Sequence, residues 1–204
     1  MRLVAEGLAA LRGERVVFRN VSFEVSSGQA LVLHGPNGSG KTTLLRILAG
    51  LLAIMAGRLR LLDNEGKALI DERRDQVLHF IGHQDMVRPQ LRVSETLRFH
   101  AALLGAPARS VDTALDIWGL APLAGISGGL LSAGQRRRLS LARLSLQPRS
   151  VWLLDEPLVA LDAPARARLN NACNKHLASG GMIVAASHEP FLAGTRTLHL
   201  GPSA

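Results

Sequence analysis

The run Gly35-Pro36-Asn37-Gly38-Ser39-Gly40-Lys41-Thr42 constrains this chain more than any other stretch, because it fits G-x-x-x-x-G-K-[ST] at every fixed position. It follows an apolar segment, Ala30 to His34, that predicts a buried strand, and it opens a segment with helical spacing, Thr42 to Leu52. A strand that turns through glycines into a helix aims backbone N–H groups and the positive end of the helix at one point. That point is a cradle for phosphate. In such a cradle Lys41 reaches the β- and γ-phosphates of a nucleotide, and the Thr42 hydroxyl ligates Mg2+.

A P-loop needs a metal-side acid at the end of another buried strand, and Val151-Trp152-Leu153-Leu154-Asp155 supplies one. Asp155 is expected to hold Mg2+ through water. Glu156 follows where the chain leaves the sheet, placed to accept a proton from an attacking water.

Further apolar runs, Val77 to Ile81 and Met182 to Ser187, predict strands. A helix is expected over Ala163 to Ala178, with Asp162 as N-cap ahead of Pro164. Strands alternating with helices imply a mainly parallel sheet covered on both faces, hence an α/β fold. Two regions break the rhythm. Leu3 to Leu8, Val16 to Phe18 and Val21 to Val25 read as short antiparallel strands, and Arg58 to Leu62 with Lys67 to Ile70 reads as a hairpin around Asn64-Glu65-Gly66. Residues 92–145 are almost all helical in pattern, with starts at Ser94-Glu95 and Ser110. The expected organisation is one domain over 1–204, its catalytic core formed by 1–91 and 146–204 and a helical subdomain inserted over 92–145.

The longest run free of polar side chains, Ile47 to Gly57, is about half of a bilayer span and reads as a buried helix. Cys173 is the only cysteine, which excludes an internal disulfide and favours a reducing compartment. The N-terminus lacks the pattern of a signal peptide. A net charge of +8 permits attraction to nucleic acid, anionic lipid or a polyphosphate ligand. Five Phe, two Trp and no Tyr leave little material for stacking bases, so no nucleic-acid partner is expected.

With these residues in place the chain resembles the ATP-binding cassette (ABC) family of P-loop ATPases over nearly its whole length. The resemblance implies ATP and Mg2+ as cofactors and a nucleotide-binding domain with an N-terminal antiparallel β subdomain. Gly35 to Thr42, together with Thr43, matches the family's Walker A, Val151 to Asp155 its Walker B, and Glu156 its catalytic carboxylate. Gln84, in Ile81-Gly82-His83-Gln84, matches the Q-loop glutamine, implied to act in catalysis and on Mg2+. His188, in Ala186-Ser187-His188, matches the switch histidine, and Leu161-Asp162 matches the D-loop.

Leu131-Ser132-Ala133-Gly134-Gln135 resembles the family signature LSGGQ, although Ile126-Ser127-Gly128-Gly129 just upstream offers a second register. The later register is preferred because a helical run follows Gln135 and presents Ser132 and Gly134 at its N-terminus. In the family this element faces ATP held by the other subunit, so an ATP-dependent homodimer is implied. The consecutive arginines 136–138 then flank a signature helix and need not grip nucleic acid. Three departures stand out: Ala133 replaces a signature glycine, Val159 occupies a D-loop position often held by Ser, and Arg12 stands where many relatives place an aromatic on the adenine.

The compact length and local wording, IGHQ, LSAGQ, WLLDEP and GGMIVAASHEP, are most similar to the ATP-binding subunit of the cytochrome c maturation haem exporter, as is Arg12-Gly13-Glu14-Arg15 followed by Phe18. That resemblance implies an integral membrane permease, further cytochrome c maturation proteins and a haem chaperone as partners, at the cytoplasmic face of the bacterial inner membrane. Direct haem binding is not expected: the chain has no Cys-Pro pair and no C-x-x-C-H, and His79 and His83 read as ordinary strand-end side chains. Two alternatives stay open: a different small-substrate ABC transporter, and a soluble ABC ATPase acting on nucleic acid or ribosomes.

Overall fold

The structure is a computed structural model that describes residues 1–13, 15–69 and 74–201. Its centre is a five-stranded sheet of β3 (Ala30–His34), β5 (Leu78–Ile81), β6 (Val151–Asp155), β7 (Met182–Ala186) and β8 (Arg196–His199), ordered β5-β6-β7-β3-β8 with every neighbour parallel. Side chains alternate between two cores, as a pleated strand buried on both faces requires. Leu31, Leu33, Val151, Leu153, Met182 and Val184 face one core; Val32, Trp152, Leu154, Ile183 and Ala185 face the other.

The first core is closed by α1 (Lys41–Leu48) and by an antiparallel sheet of β1 (Arg2–Arg12), β2 (Arg15–Ser26) and β4 (Ala56–Leu62), ordered β2-β1-β4. The second is closed by α6 (Ala163–Ala178) and by helices between β5 and β6. These are α3 (Val93–Leu104), α4 (Ser110–Ile117) and α5 (Ala133–Ala142), gathered on Trp118, which is fully buried and donates from Nε1 to Ser145 Oγ at 2.9 Å. A short α2 (Arg74–Val77) leads into β5.

Several elements differ from the sequence expectation. The first two antiparallel strands are long, and the expected break between Val16–Phe18 and Val21–Val25 is an irregularity within β2, where Asn20 takes a φ of 53°. Ile47 to Gly57 is not a buried helix: α1 ends at Leu48, Gly50 turns the chain at φ 74°, and Leu51, Leu52 and Met55 are exposed. Apolar composition without helical periodicity does not sustain a helix past such a turn. The hairpin arm after β4 is a single bridge, Leu62 to Ala68, with Leu69 N–H donating to Leu61; Ile70 lies outside the described residues, as does Glu14. The edge strand β8 had no expectation attached, being short and carrying Arg196, Thr197 and His199.

Helix starts fall close to the polar signals. Asp162 caps α6 by accepting from Ala165 N–H at 2.9 Å. Glu95 reaches back to the Arg92 N–H at 2.8 Å, so α3 begins at Val93, one residue before the expected Ser94.

Candidate active site

Because all five core strands run the same way, the loops after β3, β5, β6 and β7 emerge at one edge of the sheet, the edge where open α/β sheets bind ligands. They line a cleft of about 600 Å³ together with Arg12, Arg15, Val16 and Val17 of the antiparallel sheet. Pro36 to Thr43, His83, Asp155, Glu156, Val159 and His188 complete the walls. Gly35 and Gln84 do not line it, and Gln84 is exposed.

The loop over Gly35 to Gly40 is held open by glycine where no side chain fits. Gly40 takes a φ of 97°, and a Cβ there would come within 2.6 Å of Val17 Cγ1 and 2.8 Å of Phe18 Cδ1. Gly40 caps α1, whose first residue is Lys41, so the uncompensated N–H groups of the helix face the cleft. Lys41 is 7% exposed, and its ammonium donates to the carbonyls of Gly35 at 2.7 Å and Pro36 at 3.2 Å. Ser39 Oγ, inside the same loop, is buried with no partner among the described residues.

The acids face this loop across the sheet edge. Thr42 Oγ1 lies 3.0 and 3.2 Å from the two carboxylate oxygens of Asp155, which is 1% exposed at the end of β6. A hydroxyl and a carboxylate in contact form an all-oxygen donor pair that suits a hard cation such as Mg2+ completed by phosphate and water. No group of three or more His, Cys, Asp or Glu side chains among the described residues could form a metal cage by itself. Glu156 has a φ of 47°, its N–H donates to Ala186 at 2.9 Å, and its Oε1 lies 3.4 Å from His188 Nε2. The carboxylate is shielded at 17% exposure while the imidazole is half exposed. β6 and β7 thus end in a carboxylate and an imidazole in contact.

Ser132, Ala133, Gly134 and Gln135 stand apart from this cleft. Ser132 caps α5 in a capping box: its Oγ accepts from Gln135 N–H at 3.2 Å, and Gln135 Oε1 accepts from Ser132 N–H at 2.8 Å. Ala133 is the first residue of that helix, on the ordinary side of φ, so its methyl requires no glycine. A Cβ at Gly134 would meet the Ala160 carbonyl at 2.7 Å, which packs the signature against the segment leading to Asp162. Of the competing glycines, Gly128 is tightly packed, since a Cβ there would meet the Arg88 carbonyl and Val87 at 2.7 Å, and both donate their N–H groups, to Leu91 and Pro89.

The arginines after Gln135 hold carbonyls. Arg136 donates to Leu131, and Arg138 donates to Trp118 at 3.4 Å and Gly119 at 3.1 Å. Arg137 is 2% exposed; it donates to Gly82 and Asp85 on one side and to the carbonyls of Asp155 and Glu156 on the other. Sequence reasoning took these three residues as one charged run and missed that Arg137 points inward. It also grouped His83 with His79. His79 is buried and held on Gln147 O at 2.8 Å, but His83 lies on the cleft wall. What separates them is the end of β5 at Ile81: the alternation that buries residues 79 and 81 stops there and does not carry on to His83.

Residues 18–159 match the ABC transporter family. The Cytochrome c biogenesis ATP-binding export protein CcmA of Paramagnetospirillum magneticum is 48% identical over 203 residues, covering 96% of this chain and 92% of that relative. The protein of the same name from Rhodopseudomonas palustris strain BisB5 is 42% identical over 204 residues, covering 100% of both chains. Among solved structures, a putative ABC transporter ATP-binding protein from Pyrococcus furiosus superposes with a TM-score of 0.82 at 25% identity, covering 98% of each chain.

Proposed function

This chain belongs to the ABC transporter family, as an ATP-binding ATPase subunit that works with a membrane permease, and on that premise we propose that it powers the cytochrome c maturation haem exporter. What supports the narrower reading is identity of 42–48% to full-length export proteins of cytochrome c biogenesis, together with the local wording shared with that subfamily. Its proposed place is the cytoplasmic face of the bacterial inner membrane, bound peripherally to the permease. No helix among the described residues is long and apolar enough to cross a membrane. In this reading hydrolysis drives release of a haem-loaded chaperone, and haem is carried by the partners.

The chemistry follows from the cleft. The observation that carries it is the convergence of Lys41, Thr42, Asp155, Glu156 and His188 at the carboxyl edge of one sheet. Lys41, whose ammonium rests on loop carbonyls, is set to exchange them for β- and γ-phosphate oxygens, with the α1 N-terminus stabilising the same charge. Thr42 and Asp155 would hold Mg2+, which when bound neutralises charge on the transferred phosphoryl group. Glu156 orients the attacking water and accepts its proton; His188 holds the carboxylate and meets the γ-phosphate. Gln84, exposed beside His83, is assigned to the same site once the Q-loop closes. Arg12 and Arg15 offer planar guanidiniums to the base.

The core of 1–91 and 146–204 and the helical subdomain of 92–145 are proposed to close on ATP, with Ser132 to Gln135 of one chain completing the site of a second. The test is Glu156→Gln, measured for ATP binding and for turnover. Retained binding with turnover lowered by two orders of magnitude or more, on the order of an essential proton acceptor, supports the assignment. A parental rate removes Glu156 from its role.

A further inference from the structure

We propose that Arg137 is a positioning residue for hydrolysis, a buried strut that fixes the backbone of Glu156 and the loop carrying His83 and Gln84 to the signature helix. The inference rests on the assignment of Glu156 as proton acceptor. From α5 the guanidinium reaches two loops at once. Nη1 donates to Gly82 O at 2.9 Å and to Asp85 Oδ1 at 3.2 Å; Nη2 donates to Asp155 O at 2.7 Å and Glu156 O at 2.8 Å.

Burial energetics argue against a purely stabilising part. The side chain is 3% exposed, and among the described residues its counter-charge is a carboxylate 21% exposed and its Nε is buried without a partner. Removing a guanidinium from water under those terms costs more than a well-packed apolar residue would, so a buried charge here is weak ground for stability. What the charge does supply is geometry. Glu156 sits at φ 47°, a conformation that strains a non-glycine residue, and such a conformation persists only where its surroundings over-determine it. The Glu156 N–H is fixed by Ala186 and its carbonyl by Arg137, so the peptide groups on both sides of the strained Cα are pinned. The side chain that leaves this Cα is the one that meets His188.

The other half of the fork fixes Gly82 and Asp85, the residues that bracket His83 and Gln84. One planar group thus sets the distance between the Q-loop and the end of β6 and ties both to the helix capped by Ser132. A lysine, with a single compact ammonium, cannot serve two acceptor pairs on opposite sides. Displacement of a reacting group by about an ångström costs on the order of a hundredfold in rate.

The experiment compares Arg137→Lys and Arg137→Gln in the full chain by ATP affinity and by single-turnover hydrolysis expressed per bound nucleotide, so that any unfolded fraction drops out. Each change is repeated in a Glu156→Gln background. The expected result is affinity within about twofold of the parent, hydrolysis slowed roughly 10- to 100-fold, and no further slowing once Glu156 is already replaced. A parental rate per bound nucleotide overturns the proposal, as does an equal loss in the Glu156→Gln background or a loss of affinity matching the loss of rate. If Glu156→Gln alone hydrolyses at the parental rate, the assignment of Glu156 falls and Arg137's role falls with it; if Glu156→Gln is slow and Arg137→Lys is not, only the strut is lost.

Discussion

Gly40 shows how little freedom a single position in this site has. Its φ of 97° is one that L side chains rarely adopt, and the space a Cβ would need is taken by Val17 and Phe18 of β2. Gly40→Ala must therefore shift either the loop or the strand beneath it. Strain of about 1–3 kcal/mol placed on the phosphate cradle predicts ATP affinity reduced about tenfold or more, read by equilibrium binding of a fluorescent nucleotide. Unchanged affinity would show that the loop relaxes without losing its cradle. Residues of this kind were legible in the sequence, because Gly, Lys and Thr at fixed spacing admit few other uses. Arg137 was not. A run of three arginines reads only as the flank of a signature helix, and only the rotation of α5 against the sheet decides which of the three turns inward.

At the scale of elements, the buried parallel strands were the most legible part of the chain. β3 and β6 begin and end where Ala30–His34 and Val151–Asp155 predicted, because continuous apolar runs bounded by a turn have few alternatives. β8 escaped notice since an edge strand is defined by backbone pairing to β3, which side-chain pattern does not encode. β5 offers a test of how one element is held. Burial is the main cause that pushes His79 down from 6.5 to about 4, reinforced by nearby Arg149 and Arg143 and opposed by its hydrogen bond to Gln147. His100 of α3 is likewise pushed down to about 4, by burial first and Arg143 second. The unfolded chain takes up protons below pH 6.5 that the folded chain refuses until about pH 4. Stability is therefore complete above 6.5 and falls as pH drops through that window. His79→Gln, whose amide can still donate to Gln147, is expected to flatten the decline of Tm between pH 6.5 and 4 in calorimetry. An unchanged slope would assign the acid sensitivity to other groups.

The whole molecule poses a geometric question that its own cleft does not answer. Ser132 and Ala133 are exposed at the start of α5, capped and ordered, yet no signature residue lines the cleft that holds Lys41 and Glu156. The head-to-tail pairing proposed above would bring the α5 N-terminus of one copy to the nucleotide cleft of a second. In the proposed dimer two copies would bury two nucleotides, with ATP as part of the contact. Ser132→Arg places a long cation at the centre of that contact while leaving the chain's own cleft untouched. It predicts ATP affinity of the isolated chain within about twofold of the parent and no ATP-driven dimer in a Glu156→Gln background, measured by sedimentation. Ser132→Ala is the control for the cap: it removes the hydroxyl that accepts from Gln135, lowering unfolding free energy by about 1 kcal/mol, and leaves the dimer detectable. A dimer that forms normally with Arg at 132 would place the partner contact elsewhere, and the glycines at 128 and 129 would then be the register to test. Their N–H groups already donate to the carbonyls of Leu91 at 2.8 Å and Pro89 at 3.1 Å, which makes that outcome the less compatible with this fold, since those donors are spent within the chain.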